Sequence, residues 1–411
     1  MTDKTIHRRG PLASLAALAA AALLVLSACA APAGESAVEP SGAATNASVD
    51  ASADPAGEGP ATDSTAAPQG QPAELTAYEG IIGAPPTDPV AVPEDISAWI
   101  VSCGQVQGTC STPSEGVATA AKTLGWESNI CDGQQNPNGW ANCIRQGIAA
   151  GADTILVIGQ DCSSVQGALQ EAKDAGIMTI GVGGNDCDID GGEPLYSGTT
   201  VQFGGMTNEE WWNTVGELQG EWLIDQTDGQ VKLLDVIFET PRFGTWLNDG
   251  LHAAMADCES CEIVSTLSLS VSDAASGQLA PKLSSALVQA PEANAVAIPI
   301  DGWFMAGLSQ VIESSGRSDE LAVIGAFGQT ANLELIAAGQ GQDASVAFNL
   351  EWDGWAGVDA ALRLMDGQEI RPGGTGLQVV DAENNMPAPG ADFSYNPEVD
   401  FKAAYQQAWG R

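Results

Sequence analysis

The chain has 411 residues, with 53 acidic side chains against 14 basic ones and a formal net charge of −39. A surface this acidic repels phosphate backbones and anionic lipid heads, which argues against nucleic-acid binding and against electrostatic adhesion to a membrane. The length exceeds that of one typical domain and favours two.

The chain opens with a basic stretch carrying Lys4, Arg8 and Arg9, then a small-residue apolar run that ends Leu26-Ser27-Ala28-Cys29. Basic head, apolar middle and small residues before a cut site predict a secretory signal over 1–28. The ending resembles a bacterial lipobox, which makes Cys29 the lipidated first residue of the exported chain. From 30 to about 72 the residues are small, polar or acidic, with almost no large apolar side chains. Such a segment cannot bury enough surface to offset its ordering entropy, so 29–95 is read as a tether followed by a Pro-rich lead-in.

From 97 onward the pattern alternates. A strand over 97–103 and a helix over 115–124 come first. Trp126–Cys131, Thr154–Ile158 and Ile177–Val182 read as strands, with amphipathic helices over 138–150 and 165–175 between them. Thr154–Ile158 is continuously apolar, as in a strand buried on both faces of a parallel sheet. The Gly- and Asp-rich stretch 185–205 marks a boundary, and a long helix over 208–226 follows. The alternation then restarts, with strands over 230–238, 262–267, 295–300, 321–326 and 344–350. The intervening helices fall over 244–256, 277–289, 303–314 and 331–338. A helix over 355–365, a short strand over 375–381 and a terminal helix over 401–409 complete the reading. Parallel strands need crossover helices, so each half is a doubly wound α/β sheet whose ligands bind at the carboxyl ends of the strands.

Beyond Cys29 the chain has eight cysteines, an even number in an exported protein, and disulfides are expected. Sequence proximity favours Cys103–Cys110, Cys131–Cys143, Cys162–Cys187 and Cys258–Cys261, among the roughly one hundred pairings that eight cysteines allow. A zinc site is disfavoured, because C-x-x-C pairs do not recur and His252 is the one histidine after residue 28. No cofactor is expected. His252 lies inside a predicted helix and serves as a structural residue better than as half of a nucleophilic pair. Gly181-Val182-Gly183-Gly184 lacks the helix and third glycine of a dinucleotide site. An enzyme is therefore not expected.

Two successive α/β units in an exported, lipid-anchored chain resemble the type I periplasmic binding proteins, the ribose-binding branch in particular. Asp132-Gly133-Gln134, Gly147–Asp153, Gly176–Val182, Asn248-Asp249-Gly250-Leu251, Ala295–Leu308 and Val323-Ile324-Gly325 carry the resemblance. The opening Ser102-Cys103-Gly104 with Cys110 is similar to actinobacterial lipoproteins of this type. The resemblance implies two lobes joined by three crossovers, near 197–205, 349–352 and 373–378. It divides the chain into a first lobe of 96–202 and 351–374 and a second of 203–350 and 375–411. It further implies a monomer held at the outer face of the cell membrane that delivers a small molecule to an ABC permease; the alternative is a ligand-sensing receptor read by a membrane signalling kinase.

The family's sugar-gripping positions transfer one by one, and most differ. An Asp-Arg pair after the fourth strand is Gly183-Gly184 here, an Asn is Ile300 with the neighbouring Asp301 kept, and an Asp is Phe327. A Gln is Phe348, with Asn349 one step on; an Asn aligns with Trp212 and an Arg with Arg242. The polar ring has thus become mostly apolar, and Trp246 and Trp303 also fall near strand ends. Gln105, Asp161 and Gln329 add polar groups at the same edge. The expected ligand is sugar-like or has a broad apolar or aromatic face.

Overall fold

The computed structural model describes residues 76–390 and 393–411; the expected signal, Cys29 and most of the tether lie outside them. The first sheet is built from β1 (Ser97–Ser102), β2 (Glu127–Asp132), β3 (Thr154–Ile158), β4 (Met178–Val182) and β5 (Gly198–Thr199), in the order β2-β1-β3-β4-β5. Every pairing is parallel, and all five residues of β3 are buried. The crossovers are α1 (Gly108–Leu124), α2 (Pro137–Ala150) and α3 (Cys162–Asp174). Helix α2 starts where sequence chemistry places a start: the Asn136 side chain accepts from Gly139 N–H at 2.8 Å, and Pro137 takes the first helical position.

The chain then crosses to the second lobe through α4 (Asn208–Gln226), which opens with a reciprocal Thr207–Glu210 capping box. There follow β6 (Lys232–Ile237), α5 (Arg242–Ala256), β7 (Glu262–Ser268), α6 (Val271–Ala275), α7 (Leu279–Gln289), β8 (Ala295–Ala297), α8 (Ser309–Ser314), β9 (Ala322–Phe327), α9 (Thr330–Ala338) and β10 (Ala344–Ala347). Helix α10 (Leu350–Met365) returns to the first lobe, β11 (Gln378–Asp381) goes back to the second, and α11 (Phe401–Ala408) ends the chain. The second sheet has the order β11-β10-β9-β8-β6-β7 and is parallel except for the antiparallel β10–β11 pair. The two lobes are therefore linked three times, and the first and third links pair with each other: Gly373 and Gly374 N–H donate to Val201 and Gln202 carbonyls, both at 2.7 Å.

The helices on each lobe meet at glycine. A Cβ on Gly116 of α1 would overlap the Glu351 carbonyl, and one on Gly354 of α10 would overlap the Pro113 carbonyl, so α1 and α10 cross backbone against backbone. Gly216 of α4 against Leu247 of α5 repeats the device on the second lobe.

Several expected boundaries shift for physical reasons. Helix α1 begins seven residues before 115, because the Cys103–Cys110 disulfide and the Cys110 N–H bond to Gln107 carbonyl fix a first turn ahead of Pro113. Helix α10 begins at Leu350 rather than 355, nucleated by Asn349, whose side chain accepts from Trp352 N–H at 2.9 Å. The helix expected over 303–314 starts as a π-helical turn, Phe304–Leu308, with Gly307 at φ +114°. The terminal helix, expected with the second lobe, packs on the first: Phe401 stacks on Trp352 and Trp409 on Trp355 at 5.2 and 5.4 Å. The lead-in touches both lobes. Ile81 bridges antiparallel to Leu377, while Val90 N–H donates to Ala408 carbonyl and its side chain joins the first lobe's core.

Four disulfides form, Cys103–Cys110, Cys131–Cys143, Cys162–Cys187 and Cys258–Cys261, the pairing that sequence proximity favours. No helix among the described residues is long and apolar enough to cross a membrane.

Candidate functional site

The carboxyl edges of both sheets face one cavity of about 680 Å³. On the first lobe its wall comes from the turns after β1, β2 and β3: Gln107 and Thr109, then Gln135 and Trp140, then Gln160, Asp161, Ser163 and Ser164. The Cys103–Cys110 disulfide is part of that wall. On the second lobe the segment Phe238–Phe243 after β6 supplies half of the lining residues, with Thr245, Val271, Ala274, Ile300, Trp303 and Phe327.

The lobes touch on two sides of this cavity. On one, Arg242 at the start of α5 donates its backbone N–H to Asp161 Oδ2 at 2.9 Å, and its guanidinium pairs with Asp190. Asp161 Oδ1 meanwhile accepts from Asn185 N–H and Nδ2, at 3.0 and 2.9 Å, which fixes the carboxylate that Arg242 meets. On the other side, Gln107 lies against Gly302, and Gly108 is so close to Gln329 that a Cβ there would stand 2.5 Å from Oε1. Arg242 is the one basic residue in the lining among the described residues, and its charge is spent on Asp190. Glu239 in the same wall has no ion-pair partner among them. The electrostatics therefore disfavour an anionic ligand and accept a neutral or cationic one.

Of the twelve positions singled out in sequence, the structure brings Asp161, Trp303 and Phe327 to the cavity wall. The others have different work. Gln105 turns away, its Nε2 donating to Ser102 Oγ at 2.7 Å and its N–H to Asp132. Gly183 holds a left-handed turn at φ +70° with its N–H on Thr200 Oγ1, and Gly184 is demanded by the Gln160 backbone, with which a Cβ would overlap. Trp212, Phe348 and Trp246 are buried in the second lobe's core, where Trp212 lies edge-on to Trp211 and within 4.6–5.8 Å of Phe243, Phe327 and Phe348. Trp212 thereby backs Phe243 and Phe327, and Phe348 packs against Phe327. Gln329 sits at the interlobe contact rather than in the lining. Asn349 caps α10 and donates to the Tyr395 carbonyl at 3.2 Å.

Asp301 was expected to orient a ligand, but it lies behind the cavity wall and not in it. It is fully buried, and its carboxylate accepts from Gly328 and Gln329 N–H, Ser345 Oγ and Gln342 Nε2, at 2.9–3.3 Å. Burial pushes its pKa up to about 7 against those donors. Its function is to shape the β9–α9 turn that presents Phe327.

The residues that sequence reasoning missed are Gln107, Gln135, Gln160, Trp140 and, apart from Arg242, the run Phe238–Phe243. All follow strand ends, so the carboxyl-edge rule contained the signal; side-chain direction in the loops did not follow from it. Among the described residues, Cys162, Asp186 and Cys187 lie close enough to suggest metal ligands, but the two sulfurs are bonded to each other.

Comparison with known proteins agrees with this architecture. The chain matches a family model described as a periplasmic binding protein domain over residues 100–369. No curated protein sequence matches it. Among solved structures it is similar to the binding protein of the arabinose ABC transporter from Shewanella sp. ANA-3, bound to L-arabinofuranose (TM-score 0.57, 20% identity, covering 70% of this chain and 92% of that one). It is also similar to a solute binding protein from Mycobacterium smegmatis with bound glycerol (TM-score 0.60, 17% identity, 74% and 100% covered). A third is the Bacillus halodurans C-125 protein with bound myo-inositol (TM-score 0.57, 17% identity, 71% and 96% covered). At these identities the likeness concerns the fold. With the family model spanning well over half of the chain and two triply linked α/β lobes enclosing one cleft, the protein belongs to the periplasmic binding protein family, as a non-enzymatic solute-binding member with the type I, ribose-binding-like fold.

Proposed function

We propose that the protein is an extracytoplasmic lipoprotein, anchored through Cys29, that captures a small molecule between its lobes and hands it to an ABC permease as a monomer. The observation that carries the reading is the cavity at the joined carboxyl edges, with the lobes in contact on both of its sides. A site of this kind surrounds its ligand, which suits capture and release by hinge motion. The Leu26-Ser27-Ala28-Cys29 sequence supports the anchor. The similar structures carry polyhydroxylated ligands, which supports a hydroxyl-bearing ligand here. Asp161, Trp303 and Phe327, with Gln107, Gln135 and Gln160, are the proposed contacts. A thermal-shift screen of sugars, glycosides, polyols, amines and nucleosides, followed by calorimetry, tests the proposal. Saturable one-to-one binding at micromolar or tighter affinity is the expected result. A protein that no compound stabilises, and whose solution scattering no compound changes, refutes it.

A further inference from the structure

The cavity has two unlike walls. The first-lobe wall carries the amides of Gln107, Gln135 and Gln160 and the hydroxyl of Ser163, groups that hydrogen-bond a polyol, beside the Asp161 carboxylate, Trp140 and the Cys103–Cys110 disulfide. The second-lobe wall is mainly hydrocarbon and aromatic: Phe238, Phe243, Ile300, Trp303 and Phe327. Its polar groups are confined to the turn carrying Glu239, Thr240 and Arg242 and to Thr245, whose hydroxyl is spent on the Glu239 carbonyl.

Size decides further. The lobes already touch on two sides, so the 680 Å³ is the space left in a clasped molecule. At roughly 30 Å³ per water in the liquid, it has room for about twenty-three waters, and bonded heavy atoms pack closer than waters do. A hexose has about a dozen heavy atoms.

We infer that the clasped cleft takes a glycoside with an apolar ring as aglycone, its sugar half against the first lobe's amides and its ring against the second lobe's aromatic wall. The inference rests on the solute-binding reading above and narrows it. A free monosaccharide leaves much of the space to water. A disaccharide fills more of the volume but presents hydroxyls to a wall with few partners for them, and an unpaired buried hydroxyl is costly. A hydrocarbon strips water from the first lobe's amides without replacing it. An anionic ligand finds the one lining cation among the described residues already paired with Asp190.

The test uses the full exported chain and calorimetric titration with matched sets: glucose, galactose, xylose and arabinose, their phenyl and 4-nitrophenyl glycosides, and disaccharides of the same sugars. At least one aryl glycoside should bind tenfold or more tightly than its parent sugar. Phe243→Ala should remove most of that gain, bringing the glycoside's affinity close to that of the parent sugar measured on the same variant, and Gln135→Ala should weaken both partners of the pair alike. Phe243 is only partly buried, and the Gln135 variant stands independently should the aromatic one fold poorly. A parent sugar or disaccharide that binds as tightly as the aryl glycoside overturns the inference, as does a gain that survives in Phe243→Ala. Binding of some other library compound with no glycoside bound also overturns it, yet leaves the solute-binding reading standing. Absence of binding by every compound removes both.

Discussion

Arg242 offers a way to weigh the contact that clasps the lobes. It makes two bonds across the cleft, one through its side chain and one through its backbone N–H. The guanidinium and Asp190 are 41% and 38% exposed, and an ion pair this wet contributes about 0.2–1 kcal/mol. The N–H reaches the Asp161 carboxylate at 2.9 Å, and a hydrogen bond to a charged group contributes about 1.5–3 kcal/mol. Arg242→Ala removes the first alone. Arg242→Pro removes both and spares the helix, because residue 242 is the first helical position, where proline is favoured, and Pro241 is already extended at ψ 174°. The proline variant should therefore lose a further 10- to 150-fold or so in the closed-to-open ratio relative to the alanine variant. Small-angle scattering of the ligand-free variants should show a larger radius of gyration for proline than for alanine. Apparent affinity should fall by the same factor for every ligand, since only the competent fraction changes. If the two variants scatter alike and bind alike within twofold, the backbone bond does not hold the lobes together and the reasoning fails.

Three further outcomes are expected. Arg363 is fully buried, and its charge is met by Asp359, Gln368 and the Asp88 carbonyl; Asp359→Ala should cost about 3–5 kcal/mol, read as a drop in the urea midpoint, and a loss below about 1 kcal/mol contradicts the assignment. The Asp235 hydrogen bond raises the pKa of His252 above 6.5, opposed by burial and aided by the charges of Asp235 and Asp249, so the pair's contribution should be complete below pH 6.5 and disappear as the pH rises through the higher folded value. That dependence should vanish in His252→Gln, and a pH profile unchanged by the substitution rejects it. Cys29→Ala should move the protein from the membrane to the soluble fraction, because each buried methylene of the acyl chains contributes about 0.8 kcal/mol; retention on the membrane counts against lipidation.

The sequence carried the periodic part of this fold well. Thr154–Ile158 and Asn208–Gln226 have the observed bounds; the first is an unbroken apolar run of strand length, and the second opens in the structure on a Thr207–Glu210 capping box. Less was legible where tertiary contacts decide. Nothing local places Phe401 and Trp409 on the first lobe; that follows from the faces of Trp352 and Trp355, some fifty residues earlier in the chain. The site was harder still. Gln105 and Gln107 differ by two positions, yet one bonds back to Ser102 and the other lines the cavity, a choice set by the disulfide loop around them. Asp301 was attractive as a surviving acid at a family ligand position. What keeps it there is four donors from the β9–α9 turn and its neighbours, a structural demand that an aligned column cannot separate from a ligand's.

The three disulfides of the first lobe have a bearing on how such a site can change. Cys103–Cys110, Cys131–Cys143 and Cys162–Cys187 each tie down a loop at the edge that faces the cavity, whereas Cys258–Cys261 joins α5 to β7 within the second lobe. Loop shape on the first lobe is thus specified in part by covalent bonds, together with the Asp132, Asn136, Asp161 and Asp186 side chains that accept from loop and first-turn N–H groups. Gln107 and Ser163 can then be exchanged with little penalty to folding, so selection, or a protein engineer, has a stapled rim on which recognition can be rewritten one residue at a time. The opposite wall has no such freedom: Phe243 and Phe327 are packed into the core they help to build, and altering what they recognise means repacking a domain.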